Sequence, residues 1–163
     1  MSGKEFFTFR EYMRKEDGPL TACMEDYLEM IYRLSVVTGF TRINDLAASL
    51  NVQPPSATKM VQKLAESNLV NYEKYGIITL SLKGQELGRK LLERHQIIES
   101  FLKLVGVEEN LLEETEKIEH TLSEHTLSCL RDFLNFFNNR PHLIKKFKNS
   151  RTPAPVSGRP GVD

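Results

Sequence analysis

The stretch INDLAASLNVQPPSATKMVQKLAESNLVNYEKYGIITLS, residues 43–81, decides the fold. Ile43, Leu46, Ala47 and Leu50 make the buried stripe of a short helix that Asn44 or Asp45 can cap, since a side-chain oxygen there satisfies free amides of the first turn. Asn51 and Val52 break it. Pro54 and Pro55 suit the entry of the next helix, where a missing N–H is no loss. Ala57, Met60, Val61 and Leu64 line its apolar side, and it stops near Asn68. LVNYEKYGIITLS then alternates, with β-branched and aromatic residues around one glycine, which predicts a small antiparallel hairpin. Two helices across a tight turn followed by a hairpin describe a winged helix-turn-helix, a unit that reads DNA.

Outward from this unit the chain is mainly α. Met24, Tyr27, Leu28, Ile31, Tyr32 and Leu34 recur at three and four residues, so Cys23–Val37 is an amphipathic helix ending near Gly39. SLKGQELGRKLLERHQIIESFLKLVG keeps an apolar stripe from about Leu82 to Leu104 despite Gly84 and Gly88, and Gly106 closes it. Further helices are expected over Glu108–His120 and Ser123–Phe137. In the latter, Leu127, Leu130, Phe133, Leu134 and Phe137 form an apolar face that is a candidate dimer interface. Residues 1–20 are an N-terminal extension whose Phe6, Phe7, Phe9 and Tyr12 are candidates to pack on the body or on a partner subunit. Residues 143–163, with prolines and glycines towards their end, are expected to be a flexible tail.

Composition narrows the function classes. Of 163 residues 40% are apolar, enough for a real core. The two cysteines, Cys23 and Cys129, are far apart and suggest neither a disulfide framework nor a thiolate zinc site. No apolar run of about 18 residues exists and the opening is too charged for a secretory signal, so a cytoplasmic location and no membrane partner are expected. The formal net charge is +0, which argues against indiscriminate coating of nucleic acid. Its distribution is uneven, however: residues 41–94 are net basic and residues 95–140 net acidic.

Asp26 and Glu29 stand three residues apart on the first helix, so their carboxylates share a face. Glu116, Glu119 and His120 bring two carboxylates and an imidazole onto one face in the same way, and His95 sits in the long helix on a face able to meet both. Acidic pairs on helices are most often solvated surface, and lone histidines are usually structural. Periodicity alone therefore proposes a metal site without establishing it.

Taken together, MEDYLEMIYRL (24–34), SATKMVQKL (56–64), YEKYGIITLSLKGQELG (72–88), RHQIIESFL (94–102) and IEHTLS (118–123) resemble the manganese transport regulators, a branch of the diphtheria toxin repressor family. The match runs in order over roughly Thr21 to Arg140. It implies a winged helix-turn-helix domain over 21–92 followed by a helical metal-binding and dimerisation domain over 93–142. It also implies a homodimer on double-stranded, palindromic operator DNA, with metal acting as corepressor. Carried over residue by residue, the ligands are Asp26, Glu29, His95, Glu116, Glu119 and His120, serving two ions per subunit. The iron-responsive branch places a Met near Asp26 and a Cys near Glu116. Here both are carboxylates, which suits Mn2+, with other divalent ions able to bind in vitro.

On the third helix Ser56, Thr58, Lys59, Gln62 and Lys63 share the polar side. A solvated face is the ordinary reading of such a composition, but the helix-turn-helix context and the resemblance favour DNA. Thr58 and Gln62 are candidates for base reading, and Ser56, Lys59 and Lys63 for phosphates. The wing YEKYG lacks a residue, often Arg, that many family members carry before the glycine, so Lys74 and Tyr75 are left to approach the DNA backbone. Two alternatives stand beside this reading: a metal-independent winged-helix regulator sensing another ligand, and a binuclear metal hydrolase. The hydrolase needs a further acid or base, and the sequence offers none beyond the ligands.

Overall fold

The computed structural model describes residues 20–151, which form seven helices and one small sheet. Residues 1–19 of the extension, with its aromatic residues, lie outside the described residues, as does the end of the tail beyond Arg151. Helix α1, Ala22–Ser35, starts at Thr21, whose hydroxyl accepts from the Met24 amide at 3.3 Å. After a turn come β1 (Thr41–Arg42), α2 (Ile43–Ser49), α3 (Pro54–Glu66), β2 (Val70–Tyr72) and β3 (Ile77–Leu80). The expected hairpin of β2 and β3 forms with Val70 opposite Leu80. It is widened by β1, which pairs antiparallel with β3 and sets Thr41 opposite Ile78, giving the order β1-β3-β2. A two-residue strand shows no alternation in sequence, and only the tertiary pairing reveals it.

Helix α4, Leu82–Val105, is followed by α5 (Leu111–Glu119), α6 (Glu124–Asn138) and α7 (Pro141–Ser150). Ser81 caps α4 by accepting from the Gly84 amide at 3.0 Å, and Ser123 caps α6 by accepting from the Thr126 amide at 3.3 Å. Helix α5 starts later than Glu108 because Asn110 adopts a left-handed φ of 54° and keeps Glu108 and Glu109 outside the helix.

Two apolar cores share α4. The first gathers Leu28 and Ile31 of α1, Leu46 of α2, Val61 and Leu64 of α3, Ile78 of β3 and Leu91 of α4. The second gathers Ile97, Ile98 and Leu102 of α4 with Leu127 and Leu134 of α6. Each such side chain contributes about 1.5–3 kcal/mol when fully buried, so α4 is pinned at both ends. The glycines in its first turns are explained by close approach. A Cβ at Gly84 would sit 1.9 Å from the Leu69 carbonyl oxygen, and one at Gly88 would sit 2.7 Å from Tyr32 Cβ. Their absence of side chain lets α1 and the sheet lie directly on α4.

Two expectations change here. Leu127 and Leu134, assigned to a dimer face, are spent on the subunit's own second core, while Phe133 and Phe136 remain exposed on α6. The segment expected to be flexible from residue 143 starts inside α7, a regular helix that packs against α6.

Candidate metal centre

Helices α1 and α5 and the middle of α4 converge where the two cores meet. One turn of α1 delivers Asp26 and Glu29, α4 delivers His95 between its core residues Leu91 and Ile98, and α5 ends with Glu116, Glu119 and the capping His120. All six residues named from the sequence are thus brought to one place. Their donor atoms fall into two groups, each with its atoms within 4.8 Å of one another: Asp26, Glu116, Glu119 and His120 in one, and Glu29, His95 and Glu119 in the other.

Glu119 belongs to both and is 1% exposed. Its Oε2 lies 2.8 Å from His95 Nδ1, and its Oε1 lies 3.6 Å from His120 Nε2. His95 Nδ1 also has Glu116 Oε1 at 3.6 Å and Glu29 Oε1 at 3.9 Å. A cavity of about 320 Å3 opens onto the cluster, lined by Asp26, Glu29, Arg33, Leu112, Glu116 and Glu119 among others.

The electrostatics are those of a site short of positive charge. Asp26, then Glu25, hold the His120 imidazolium and push its pKa up to about 10. The hydrogen bond to Glu119 raises His95 despite its burial. Burial, reinforced by neighbouring Glu119, raises Glu116. On Glu29, Arg33 donates from Nε to Oε1 at 2.9 Å, with Nη2 on the same oxygen. Protons and guanidinium groups therefore stand where a metal's charge would. Asp26 Oδ1 is buried without a hydrogen bond of acceptable direction, although His120 Nε2 is 2.8 Å away. The His120 imidazolium is the positive group that meets this oxygen, so once the ring loses its proton the buried acceptor is costly unless a cation takes that place. Hard carboxylate oxygens with two imidazoles, and no thiolate among them, fit a divalent ion of the manganese type.

One residue escaped the sequence reading. Glu25 Oε2 lies 2.8 Å from His120 Nδ1 and 2.7 Å from Arg94 Nη2. Burial opposes its charge, but hydrogen bonds from His120 and Arg94 prevail and hold its carboxyl below the usual range. Its partners are far away in sequence, so no local spacing signals it.

The candidate DNA face lies on α3 and the wing. Ser56, Lys59, Gln62 and Lys63 are exposed. Thr58 is half-buried and donates its hydroxyl proton to the Pro54 carbonyl at 3.0 Å, so outward it offers only acceptor lone pairs. Lys74 and Tyr75 lie in the single turn Lys74–Gly76, where Tyr75, at a left-handed φ of 66°, is 91% exposed.

Residues 19–78 match the family described as iron dependent repressor, N-terminal DNA binding domain. Residues 81–148 match the iron dependent repressor metal binding and dimerisation domain. The HTH-type transcriptional regulator MntR of Listeria monocytogenes serotype 4a (strain HCC23) is 43% identical over 136 residues, 83% of this chain and 96% of that protein. The regulator of the same name from Lysinibacillus sphaericus (strain C3-41) is 41% identical over 133 residues, 81% of this chain and 96% of the relative. Among solved structures, the manganese regulator SloR superposes with a TM-score of 0.62 at 35% identity, covering 69% of this chain and 54% of that one. ScaR with bound Zn2+ gives a TM-score of 0.58 at 33% identity with the same coverages, 69% and 54%. This chain thus spans about half the length of both solved relatives. No helix among the described residues is long and apolar enough to cross a membrane.

Proposed function

The chain belongs to the iron dependent repressor family, and on that footing we propose that it is a manganese-responsive transcriptional repressor. It acts in the cytoplasm as a homodimer that grips operator DNA when divalent metal fills the centre, and it controls metal-homeostasis genes such as those for manganese uptake. The family regulates transcription and is not one of enzymes, which removes the hydrolase reading. The observation that carries the proposal is Glu119, buried and shared by two clusters of ligand atoms drawn from α1, α4 and α5.

Asp26, Glu116, Glu119 and His120 would hold one ion, and Glu29, His95 and Glu119 a second. Bound divalent ions supply positive charge and Lewis acidity without redox demand. The protein side of the switch follows from charge. Two ionised carboxylates about 5 Å apart repel by about 3 kcal/mol at an effective dielectric of 20, so with its histidines deprotonated the cluster pushes α1 away from α5. Asp26 and Glu29 sit on α1, the first helix of the reading unit of residues 21–92. Glu116, Glu119 and His120 sit in the dimerising unit of residues 93–142. Holding them together fixes the reading heads of the two subunits relative to one another and lowers the ordering cost of meeting DNA. On α3, Gln62 and the acceptor face of Thr58 serve base edges, while Ser56, Lys59 and Lys63, with Lys74 and Tyr75 at the wing, serve phosphates. Two-fold symmetry of the dimer implies a palindromic operator with half-sites spaced by whole helical turns.

Selection of duplexes from a random pool by the full-length protein with Mn2+ yields an operator for the test. Mn2+ is expected to tighten that operator in gel shifts, and the operator is expected to tighten Mn2+ in calorimetry by the same factor, as linkage requires. Equal operator binding in Mn2+ and in chelator would overturn the proposal and favour a metal-independent regulator.

A further inference from the structure

We infer that Glu25 and Arg94 are positioning residues for His120, holding the ring so that Nδ1 keeps its proton towards Glu25 while Nε2 faces Asp26 and Glu119. The inference rests on the metal reading above and deepens it. A neutral imidazole has one donor nitrogen and one acceptor nitrogen, and the partner of one decides the role of the other. Glu25 Oε2 accepts from Nδ1 at 2.8 Å, so Nε2, which stands 2.8 Å from Asp26 Oδ1 and 3.6 Å from Glu119 Oε1, is the nitrogen whose lone pair would serve an ion once its proton is released.

Arg94 Nη2 donates to the same Glu25 oxygen at 2.7 Å and lies 3.2 Å from His120 Nδ1. Arginine has no acceptor, so that last distance is the spacing of two donors that converge on one oxygen. Its charge neutralises Glu25, and the pair orients the ring without adding net negative charge to the cluster. The arrangement follows from helix register. Glu25 precedes Asp26 on α1 and Arg94 precedes His95 on α4. Each helix that delivers a ligand to the centre delivers the preceding residue, about 100° around the helix, to the other edge of the His120 ring. Arg94 is also buried to the point where only 14% of its side chain is exposed, so Glu25 is held from behind and kept from swinging in as a competing ligand.

The test compares full-length parent, Glu25→Ala, Glu25→Gln and Arg94→Gln in two ways. One is Mn2+ calorimetry, and the other is 15N-histidine NMR of the metal-free protein, reading solvent protection of the His120 Nδ1 proton. Glu25→Ala is expected to weaken Mn2+ roughly 10–100-fold, the usual consequence of losing a partner that orients a metal-ligating histidine, and to lose the protected Nδ1 proton. Glu25→Gln retains an acceptor and should recover most of both. Arg94→Gln should move both in the direction of the alanine variant by less. Parent-like Mn2+ affinity in a folded Glu25→Ala protein, or a persisting protected proton, overturns the assignment. If the alanine variant does not fold, Arg94→Gln decides by the same two readings. A parent that binds no Mn2+ refutes the metal reading instead, and the NMR arm still judges whether Glu25 orients the ring.

Discussion

The two halves of the candidate centre differ in how they meet water. Glu29 and His95 are 6% and 5% exposed, whereas Glu116 keeps 46% and Asp26 37% of its side chain in solvent. Apart from the shared Glu119 of α5, the inner half joins α1 to α4, helices already locked by Gly88 against Tyr32. The outer half joins α1 to the end of α5, across the line between the two cores. On the proposed reading, charge compensation inside maintains a structure that packing has set, whereas charge compensation outside would decide whether two units stay aligned. Glu119 is the one carboxylate serving both.

That contrast breaks most cleanly at Glu119. Glu119→Gln keeps the shape but removes the charge that both clusters use, so both ions should be lost together. Operator affinity in Mn2+ should drop to the level of the parent in chelator, with metal stoichiometry read by native mass spectrometry. Retention of one ion would show that the two clusters do not depend on a common oxygen donor.

Next in size is the separation of the halves. His95→Ala and His120→Ala should each lower the count from two ions to one, and neither should disturb dimerisation, which calls on neither imidazole. If the outer half carries the coupling, His120→Ala costs far more metal-dependent operator binding than His95→Ala. Equal costs would mean that alignment depends on total charge and not on the link to α5.

How much of this was legible in the sequence also divides along physical lines. The 3.6-residue stripes of α1, α3 and α4 and the alternation around Gly76 are local patterns that burial of one face imposes, and they gave the winged unit. The six candidate ligand positions came from spacing joined to a family resemblance, since spacing alone never says which helices meet. Strand β1, the inward use of Leu127 and Leu134, and the network of Glu25 with Arg94 depend on partners distant in the chain. An apolar stripe on α6 says that a face is buried, but not whether this subunit or another buries it.

A smaller effect is the pH dependence of the outer half. In the folded, metal-free protein the His120 pKa is raised from 6.5 to about 10. The protonated ring therefore stabilises the fold fully below pH 6.5, and that contribution is lost as pH rises through about 10. Ligation at Nε2 must release the proton held there, so Mn2+ affinity should climb over the same window, by about tenfold per pH unit for each proton released. His95 is raised in the same direction by Glu119, so the inner half contributes as well. Calorimetric affinities in buffers from pH 6 to 9 should rise in the parent, and His120→Ala should flatten the slope. An unchanged slope would assign the released proton to another group.

The smallest expected effect concerns which metal is chosen, and it sharpens the comparison because only the outer half can accept a change of donor. Asp26 is partly solvated, borders an open cavity of about 320 Å3, and has an oxygen with no satisfied hydrogen bond. A longer thioether at this position can reach the cluster, and the His120 imidazolium, which loses Asp26, keeps Glu25 at 2.8 Å. Asp26→Met should therefore keep the fold and retain Mn2+ binding while improving the relative response to Fe2+ and Co2+, since sulfur donors favour the softer, later ions. Glu29→Met is the control. Glu29 is buried and accepts from Arg33, so its replacement takes the carboxylate partner from a part-exposed guanidinium at the edge of the inner half and should reduce stability before it alters preference. Operator titrations with each ion, run anaerobically for Fe2+, read the preference, and thermal unfolding of the metal-free proteins reads the stability. A Glu29→Met protein that is stable and broadened in metal response, beside an Asp26→Met protein that stays selective for Mn2+, would move metal selection from the outer half to the inner one.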